Sequence, residues 1–200
     1  TLASGHDFYS SPALSPDGSE LVWLCWNHPQ MPWDGTELWS GTLDSEGRIT
    51  SKRCVAGGDH ESIVQPTFSP DGVLTFISDR TNWWNLYRVE DQGIVPVYPM
   101  EAEFGQPQWF FGVSVYDYLD ASHICAAYTQ NGVWSVGLID VTQGTLREID
   151  TPYSAISEIH LHRGALIIHG SSATRGTTIA RVALVPLLAL IANSSALCRS

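Results

Sequence analysis

The chain has 200 residues, of which 10 are basic and 21 acidic, so its formal net charge at pH 7 is −11. A hydrophobic share of 44% with 16% charged residues is typical of a folded domain and excludes a disordered chain. The negative charge argues against a nucleic acid or an anionic membrane surface as partner, because either would be repelled. Peptides and other neutral or cationic molecules are not excluded.

One seven-residue phrase occurs twice, as Pro-Ala-Leu-Ser-Pro-Asp-Gly at residues 12–18 and as Pro-Thr-Phe-Ser-Pro-Asp-Gly at residues 66–72. Pro suits the second position of a type I turn, Asp the third, and Gly accepts the left-handed backbone that follows. Each phrase therefore predicts a tight hairpin. The strand after it, at residues 21–26 and 73–78, is an almost continuous apolar run, which is typical of a strand covered on both faces.

Two further strands are predicted in each repeat after a polar, Trp-bearing loop. They lie at residues 36–40 and 53–55 in the first repeat and at 85–89 and 94–98 in the second. A weaker third copy starts at Pro107 and a degenerate fourth near Ser157. The spacing is 54 residues from Pro12 to Pro66 and 41 from Pro66 to Pro107, which brackets a propeller blade. The sequence predicts an all-β fold, a partial β-propeller of about four four-stranded antiparallel blades.

The two ends of the chain differ from this pattern. Residues 4–12 parallel residues 57–66, which link the first two repeats, so the chain is expected to begin inside a connection between blades. We therefore expect blades over residues 1–181, a divergent tail over 182–200, and a truncated propeller whose two exposed blade faces promote self-association. The apolar stretch 182–192 is too short to span a bilayer and is expected to be a strand or a frayed tail.

Four cysteines are widely spaced, at Cys25, Cys54, Cys125 and Cys198. Because most of them fall in predicted strands, we expect all four to be free thiols in a reducing compartment, which predicts a cytoplasmic location. In that setting the glycosylation sequon that begins at Asn193 is incidental.

Several longer strings resemble the propeller of prolyl oligopeptidase family serine peptidases, in particular the bacterial dipeptidyl aminopeptidase or acylaminoacyl peptidase branch. Besides the two Ser-Pro-Asp-Gly turns, these strings are GHDFY (5–9), WNHP (26–29), MPWDGTELW (31–39), SDRTNWWNLY (78–87) and MEAEFG (100–105). The turns alone are shared with TolB-like and other propellers, whereas the tryptophan-rich strings are specific. The resemblance covers about residues 4–181.

Members of that family carry the propeller before an α/β-hydrolase domain, which holds a Ser-Asp-His triad with its serine in a G-x-S-x-G elbow. The resemblance implies the same arrangement for a complete relative of this chain. This chain shows no such motif, so no catalytic residue is predicted in it. Residues 132–137 have one residue too many before Ser135, and residues 170–174 lack the last glycine. The resemblance therefore predicts a non-catalytic propeller that gates and positions peptides for a hydrolase domain, with no cofactor.

The connections between blades and the loops between second and third strands are expected on one face, opposite the Ser-Pro-Asp-Gly turns. That face would carry an acidic and aromatic rim, which could attract the free α-amino group of a peptide, as acidic residues do in some dipeptidyl peptidases of the family. The alternatives are solvated turns or a docking surface for the hydrolase domain. The rim candidates are Glu101, Glu103, Asp59, Glu61, Trp83 and Trp84, with Asp7, Trp33, Asp34 and Asp79 beside them.

Three other interpretations stay open. His160 and His162 share one face of a predicted strand and, with His169, could chelate a metal, but no carboxylate or cysteine stands at a defined spacing, so no metal site is predicted. The tryptophans of the rim could stack ligands, although sealing the seams between blades is the more ordinary role. The chain could also be a TolB-like or WD-repeat-like interaction scaffold without a catalytic partner domain.

Overall fold

The computed structural model describes residues 1–184, which form β-strands and no α-helix. No helix in that part of the chain is therefore long and apolar enough to cross a membrane. The strands are β1 (Phe8–Leu14), β2 (Glu20–Trp26), β3 (Thr36–Leu43), β4 (Ile49–Gly58), β5 (Ile63–Phe68), β6 (Leu74–Ser78), β7 (Asn85–Glu90), β8 (Gly93–Pro96), β9 (Tyr116–Asp120), β10 (His123–Gln130), β11 (Val133–Asp140), β12 (Thr145–Ile149), β13 (Ala155–His162), β14 (Ala165–Ser172) and β15 (Arg175–Ala183).

Consecutive strands pair antiparallel into four separate sheets, which we call blades 1 to 4. Blades 1, 2 and 3 each have four strands in chain order, β1 to β4, β5 to β8 and β9 to β12, and blade 4 has β13 to β15 within the described residues. The first strands of neighbouring blades meet, β1 with β5 and β9 with β13, so these strands are the innermost. The predicted fold class, an all-β partial propeller, is confirmed.

Both Ser-Pro-Asp-Gly turns have the same hydrogen bonds. The Gly18 N–H donates to the Ser15 carbonyl at 2.9 Å, and Gly72 donates to Ser69 at the same distance. In each turn the serine hydroxyl donates to the aspartate two residues later. The glycines have φ of +72° and +90°, which favours glycine over any residue with a Cβ. The repeated phrase is thus a repeated hairpin, as the sequence predicts.

The repeat extends upstream of the turn to a bulge in the innermost strand. Ser11 in β1 and Gln65 in β5 both stand before a proline, have positive φ of 51° and 46°, and mark a shift of register with the next strand. At Gln65 the bulge aims the side chain at blade 3. Its amide donates to the Tyr116 carbonyl and accepts from the Val115 N–H, both at 2.7 Å. This bulge therefore also joins two blades.

Three apolar cores hold the blades together, one in each seam between neighbours. Leu24 and Leu38 of blade 1 pack with Phe76 of blade 2 in the first seam. The second strands supply side chains to the seams on both of their faces, and all five residues of β6 are buried. This is the double covering that their continuous apolar sequences predict.

Two boundaries differ from the sequence expectation. The third blade does not start as a strand at Pro107, because residues 107–115 form an irregular connection and β9 begins at Tyr116. β15 runs past residue 181 to Ala183, and Leu184 is fully buried in the seam between blades 3 and 4. The rest of the apolar stretch, the sequon and Cys198 lie outside the described residues.

Candidate functional site

The loop between β2 and β3 and the connection between β4 and β5 lie against each other at one end of the blades. The Thr36 N–H donates to the Glu61 carbonyl at 2.9 Å, and the Ser62 hydroxyl donates to the Pro32 carbonyl at 3.0 Å. A Cβ at Gly35 would lie 2.7 Å from the carbonyl oxygens of residues 58 and 59, so this close approach requires glycine. We call this end of the propeller the connector face.

Two acidic side chains of the connector face hydrogen-bond to the backbone of neighbouring loops. Asp7 accepts the His28 N–H at 2.9 Å and donates its own N–H to Asn27 at 2.8 Å, which ties the start of the chain to the β2–β3 loop. In blade 2, Asp79 accepts the Ser62 N–H at 2.8 Å. Burial raises the pKa of Asp79, and that hydrogen bond opposes the rise. These two carboxylates therefore hold loops together.

Glu61 has the same kind of structural role. Its Oε1 atom accepts from the Ser78 hydroxyl at 2.6 Å and from Nε and Nη2 of Arg80 at 2.9 and 2.7 Å. The guanidinium in turn lies over the Tyr87 ring, 5.0 Å from its centroid. A carboxylate neutralised in this way has little charge to offer a ligand.

Glu103 and Trp84 form a matching contact one blade further on. The Trp84 N–H donates to Oε2 of Glu103 at 2.8 Å, and the Phe104 N–H donates to the Trp84 carbonyl at 2.7 Å. The Trp84 ring packs against the core between blades 2 and 3. A Cβ at Gly105 would lie 3.1 Å from that ring, which closes the contact from the other side. Trp84 is thus engaged in core packing, and Glu103 in a hydrogen bond that holds the Trp84 backbone.

The remaining rim candidates, Asp59, Glu101 and Trp83, lie at the surface. Trp83 is 38% exposed. The Glu101 carbonyl accepts from the Gln130 amide at 3.0 Å, which fixes its backbone and leaves its carboxylate in solvent. No described hydrogen bond or ion pair within residues 1–184 engages the Asp59 carboxylate. Whether these three side chains contact a substrate or another domain stays a prediction.

An aromatic segment that sequence reasoning missed lies in the connection between blades 2 and 3. Trp109, Phe110 and Phe111 are 75%, 56% and 65% exposed. The Trp109 ring lies 4.4 Å from the Trp33 ring, centroid to centroid, and the Phe111 ring lies 6.2 Å from that of Trp26. The available signal was three consecutive aromatics in a segment without strand alternation, a combination that packing in a blade does not explain.

Trp33 also belongs to a shallow groove of about 520 Å³ on the connector face. The groove is lined by Pro29, Gln30, Trp33, Asp34, Asp59 and His60. None of these residues is Lys or Arg. One oxygen of Asp34 accepts the Met31 N–H at 2.9 Å, and the side chain is exposed. The groove therefore combines an aromatic wall with two carboxylates.

Two of the three histidines considered as metal ligands, His160 and His169, have other partners. His169 Nδ1 lies 2.7 Å from the Ser157 hydroxyl and His160 Nδ1 lies 3.4 Å from the Ser114 hydroxyl. A different group within residues 1–184, made of His6, Cys25 and Glu37, has its donor atoms within 4.8 Å of one another. The Cys25 thiol there is buried, and burial raises its pKa to about 12. The thiol would have to lose that proton to bind a metal.

The two serines that resemble a nucleophile motif lie in strands. Ser135 is inside β11, with its hydroxyl donating to Glu148 at 3.2 Å, and Ser172 ends β14. A nucleophile elbow is a sharp turn from a strand into a helix, and neither serine stands at such a turn.

Comparison with known proteins finds similar chains among solved structures. No protein-family model and no curated protein sequence matches the chain. A puromycin hydrolase matches with a TM-score of 0.86 and 32% sequence identity over 92% of this chain, which spans 28% of that protein. Prolyl oligopeptidase B from Galerina marginata, bound to a 25mer macrocyclization substrate, matches with a TM-score of 0.68 and 16% identity over 89% of this chain and 24% of its own. TolB from Acinetobacter baumannii shares the fold at a TM-score of 0.52 and 16% identity, over 85% of this chain and 42% of its own.

Proposed function

We propose that this chain, which matches in fold and sequence the propeller region of prolyl oligopeptidase family peptidases, screens and positions peptide substrates for an α/β-hydrolase domain. The observation that carries the proposal is the 32% identity with a puromycin hydrolase over 92% of the chain, at a TM-score of 0.86. Because the chain spans only 28% of that protein, the hydrolytic activity is assigned to a domain other than the propeller.

The connector face is the surface we assign to this role. Inner strands begin there, and its loops are held by internal hydrogen bonds, so it presents a rigid surface around the propeller axis. Its free carboxylates, Asp59 and Glu101, would attract the α-amino group of a short peptide or aminoacyl amide. Within the branch that the sequence resembles, this favours dipeptidyl aminopeptidase activity, because the substrates of acylaminoacyl peptidases have an acylated, uncharged amino terminus.

We also propose that the protein works in the cytoplasm. Cys25, Cys54 and Cys125 are free thiols in the described part of the chain, which suits a reducing compartment.

The test is to compare residues 1–200 with the complete product of the same gene, using a serine-reactive fluorophosphonate probe and chromogenic aminoacyl and dipeptidyl substrates. We expect labelling and hydrolysis in the complete product and neither in residues 1–200. Labelling of residues 1–200 would contradict the assignment of catalysis to another domain.

A complete product without labelling or hydrolysis would instead support the TolB-like interaction scaffold. The measurable difference between the two functions is therefore the presence of a reactive serine.

A second experiment replaces Glu101 and Asp59 by Lys in the complete product. An unchanged KM for substrates with a free amino terminus would contradict the role of the rim in binding that group.

A further inference from the structure

We propose that His6, Cys25 and Glu37 form a binding site for one Zn²⁺ ion on blade 1, where the ion ties the start of the chain to β2 and β3. Each residue offers one donor atom, and these atoms lie within 4.8 Å of one another. Such a site needs neither a peptide nor a hydrolase domain, so it stands apart from the proposed function. It uses none of the histidines of blade 4 that the sequence suggested as ligands.

The register of blade 1 brings the three side chains to one place. Cys25 in β2 pairs directly with Glu37 in β3, and the side chains of directly paired residues lie on the same face of a sheet. His6 lies two residues before β1, and its Nε2 atom is 3.4 Å from Oε2 of Glu37. A tetrahedral Zn²⁺ with nitrogen and oxygen ligands at about 2.0–2.1 Å holds those two atoms about 3.3 Å apart. The separation of His6 and Glu37 therefore already fits the ion.

The Cys25 thiol is the ligand that requires an adjustment. A Zn–S bond of about 2.3 Å places sulfur about 3.5 Å from the other ligands of a tetrahedron, so donor atoms within 4.8 Å have to approach by at most about 1.3 Å. The side chains of His6 and Glu37 are 22% and 36% exposed, whereas Cys25 is buried. The two partly exposed ligands can therefore move toward the sulfur, and they lie on the side from which an ion arrives.

Outer contacts orient the imidazole and the carboxylate. The Tyr9 hydroxyl lies 3.4 Å from Nδ1 of His6 and accepts the His6 backbone N–H at 3.0 Å. The Trp39 indole N–H donates to Oε2 of Glu37 at 2.6 Å. Contacts of this kind fix the orientation of histidine and carboxylate ligands in metal sites. Both ligands are therefore held in place before the ion binds.

A small cavity beside the ligands has room for a fourth ligand. Its volume is about 20 Å³, and its lining includes Cys25, Glu37 and the polar residues Asn27 and Gln30. One water molecule fits a polar cavity of this size. Three protein ligands and one water is a common tetrahedral shell of Zn²⁺. Mg²⁺ and Ca²⁺ prefer shells made of oxygen, so a shell of sulfur, nitrogen and oxygen selects zinc over them.

Binding of Zn²⁺ releases one proton from the site. Burial and the neighbouring charge of Glu37 raise the pKa of Cys25 to about 12, so the thiol is protonated at neutral pH when no ion is bound. When Zn²⁺ binds, the electron pair of the S–H bond becomes the thiolate pair that binds the ion, and the proton leaves to solvent. One thiolate and one carboxylate then balance the two charges of the ion. A neutral complex is compatible with a site that is largely removed from water.

The experiment adds Co²⁺, a spectroscopic substitute for Zn²⁺, to residues 1–200 in a Cys54→Ser and Cys198→Ser background. We expect one Co²⁺ per chain, a thiolate-to-cobalt charge-transfer band in the near ultraviolet and the intense visible bands of a tetrahedral site. Added Zn²⁺ should displace the cobalt and abolish both signals. Competition with a chromophoric chelator then gives the Kd for Zn²⁺.

Variants locate the site. Cys25→Ser should abolish the charge-transfer band, and His6→Ala should weaken Zn²⁺ binding by at least about 100-fold. Tyr9→Phe, which removes only an outer contact, should weaken it by about tenfold. His160→Ala is the matched control, because it removes an exposed histidine of blade 4, and it should leave binding unchanged. Should Cys25→Ser not fold, Glu37→Gln replaces it and should weaken binding by at least about tenfold.

Absence of the charge-transfer band, its persistence in Cys25→Ser, or an unchanged Kd in His6→Ala would each overturn the proposal. Binding that is lost in His160→Ala and kept in His6→Ala would overturn it as well, and would assign the metal to β13. A rise in Tm with Zn²⁺ that disappears in His6→Ala would support the proposal, because an ion that binds only the folded state stabilises it. None of these measurements needs a reactive serine, so they succeed or fail separately from the fluorophosphonate test.

Discussion

Replacing Gln65 by Ala should weaken the seam between blades 2 and 3. The Gln65 amide makes two 2.7 Å hydrogen bonds, to the Tyr116 carbonyl and from the Val115 N–H. Val115 and Tyr116 are 0% and 1% exposed, so water cannot readily replace the lost partner. One donor and one acceptor would remain unsatisfied, at about 1–3 kcal/mol each, so the free energy of unfolding should fall by about 2–6 kcal/mol.

The matched control is Ser11→Ala at the equivalent bulge of blade 1. The two positions have nearly the same backbone, with φ of 51° at Ser11 and 46° at Gln65. The Ser11 hydroxyl contacts the neighbouring Ser10 hydroxyl at 3.4 Å, within its own strand. We expect Ser11→Ala to change the free energy of unfolding by less than about 0.5 kcal/mol. The difference between the two variants isolates the bonds that join the blades.

Urea unfolding followed by tryptophan fluorescence and near-ultraviolet circular dichroism gives both free energies, and agreement of the two probes checks two-state behaviour. In thermal unfolding, the loss at Gln65 corresponds to a fall in Tm of roughly 5–20 °C. Should Gln65→Ala not fold, Gln65→Glu replaces it. Protonated Glu can donate and accept, so its deficit relative to the wild type should shrink as the pH is lowered. Equal losses for Gln65→Ala and Ser11→Ala would refute the reasoning.

Three further outcomes are expected. Hydrogen bonds from Ser15 and Ser19 lower the pKa of Asp17 to about 2, below its ordinary value of 3.8, so its stabilising effect is present above about pH 4 and lost as the pH falls to 2. Urea unfolding of Asp17→Asn should therefore show lower stability than the wild type near neutral pH, and the gap should narrow steadily as the pH falls from 4 towards 2. Gly57→Ala should destabilise far more than Gly47→Ala, because both glycines have positive φ but a Cβ at Gly57 would lie 1.9 Å from a β3 carbonyl oxygen, whereas Gly47 has open space. A thiol reagent should modify Cys54, which is exposed, in the native protein in a Cys198→Ser background, whereas the buried Cys25 should react only on unfolding.

Each of these outcomes can fail separately. A constant gap between Asp17→Asn and the wild type down to pH 2 would mean that the carboxylate does not carry the effect. Equal unfolding midpoints for the two glycine variants would mean that β3 and β4 adjust to the added methyl group. Equal reaction rates for Cys25 and Cys54 would show that blade 1 opens on the timescale of the reagent.

The fold could be predicted from the sequence because its turns and strands depend on residues that are neighbours in the chain. Ser-Pro-Asp-Gly turns need only their own four residues and the next strand, so the two phrases predicted the two hairpins. The apolar runs of β2 and β6 predicted strands covered on both faces, because nothing else in the blade requires such continuity. The third blade was harder to predict, because Pro107 matches the proline of the earlier repeats but residues 107–115 form an irregular connection whose aromatic rings contact Trp26 and Trp33.

The roles of the acidic rim residues could not be predicted from the sequence, for a different reason. Asp59 and Glu61 are two residues apart and have similar chemistry, yet Glu61 is paired with Arg80 while no described partner engages Asp59. Which of the two carboxylates is paired depends on where the β6–β7 loop places Arg80. Likewise, Trp33 and Trp109 are far apart in the chain, and only the closing of three blades around one axis brings their rings to 4.4 Å. Turns and strands are decided by neighbours in sequence, whereas the pairing of surface groups is decided by contacts between blades.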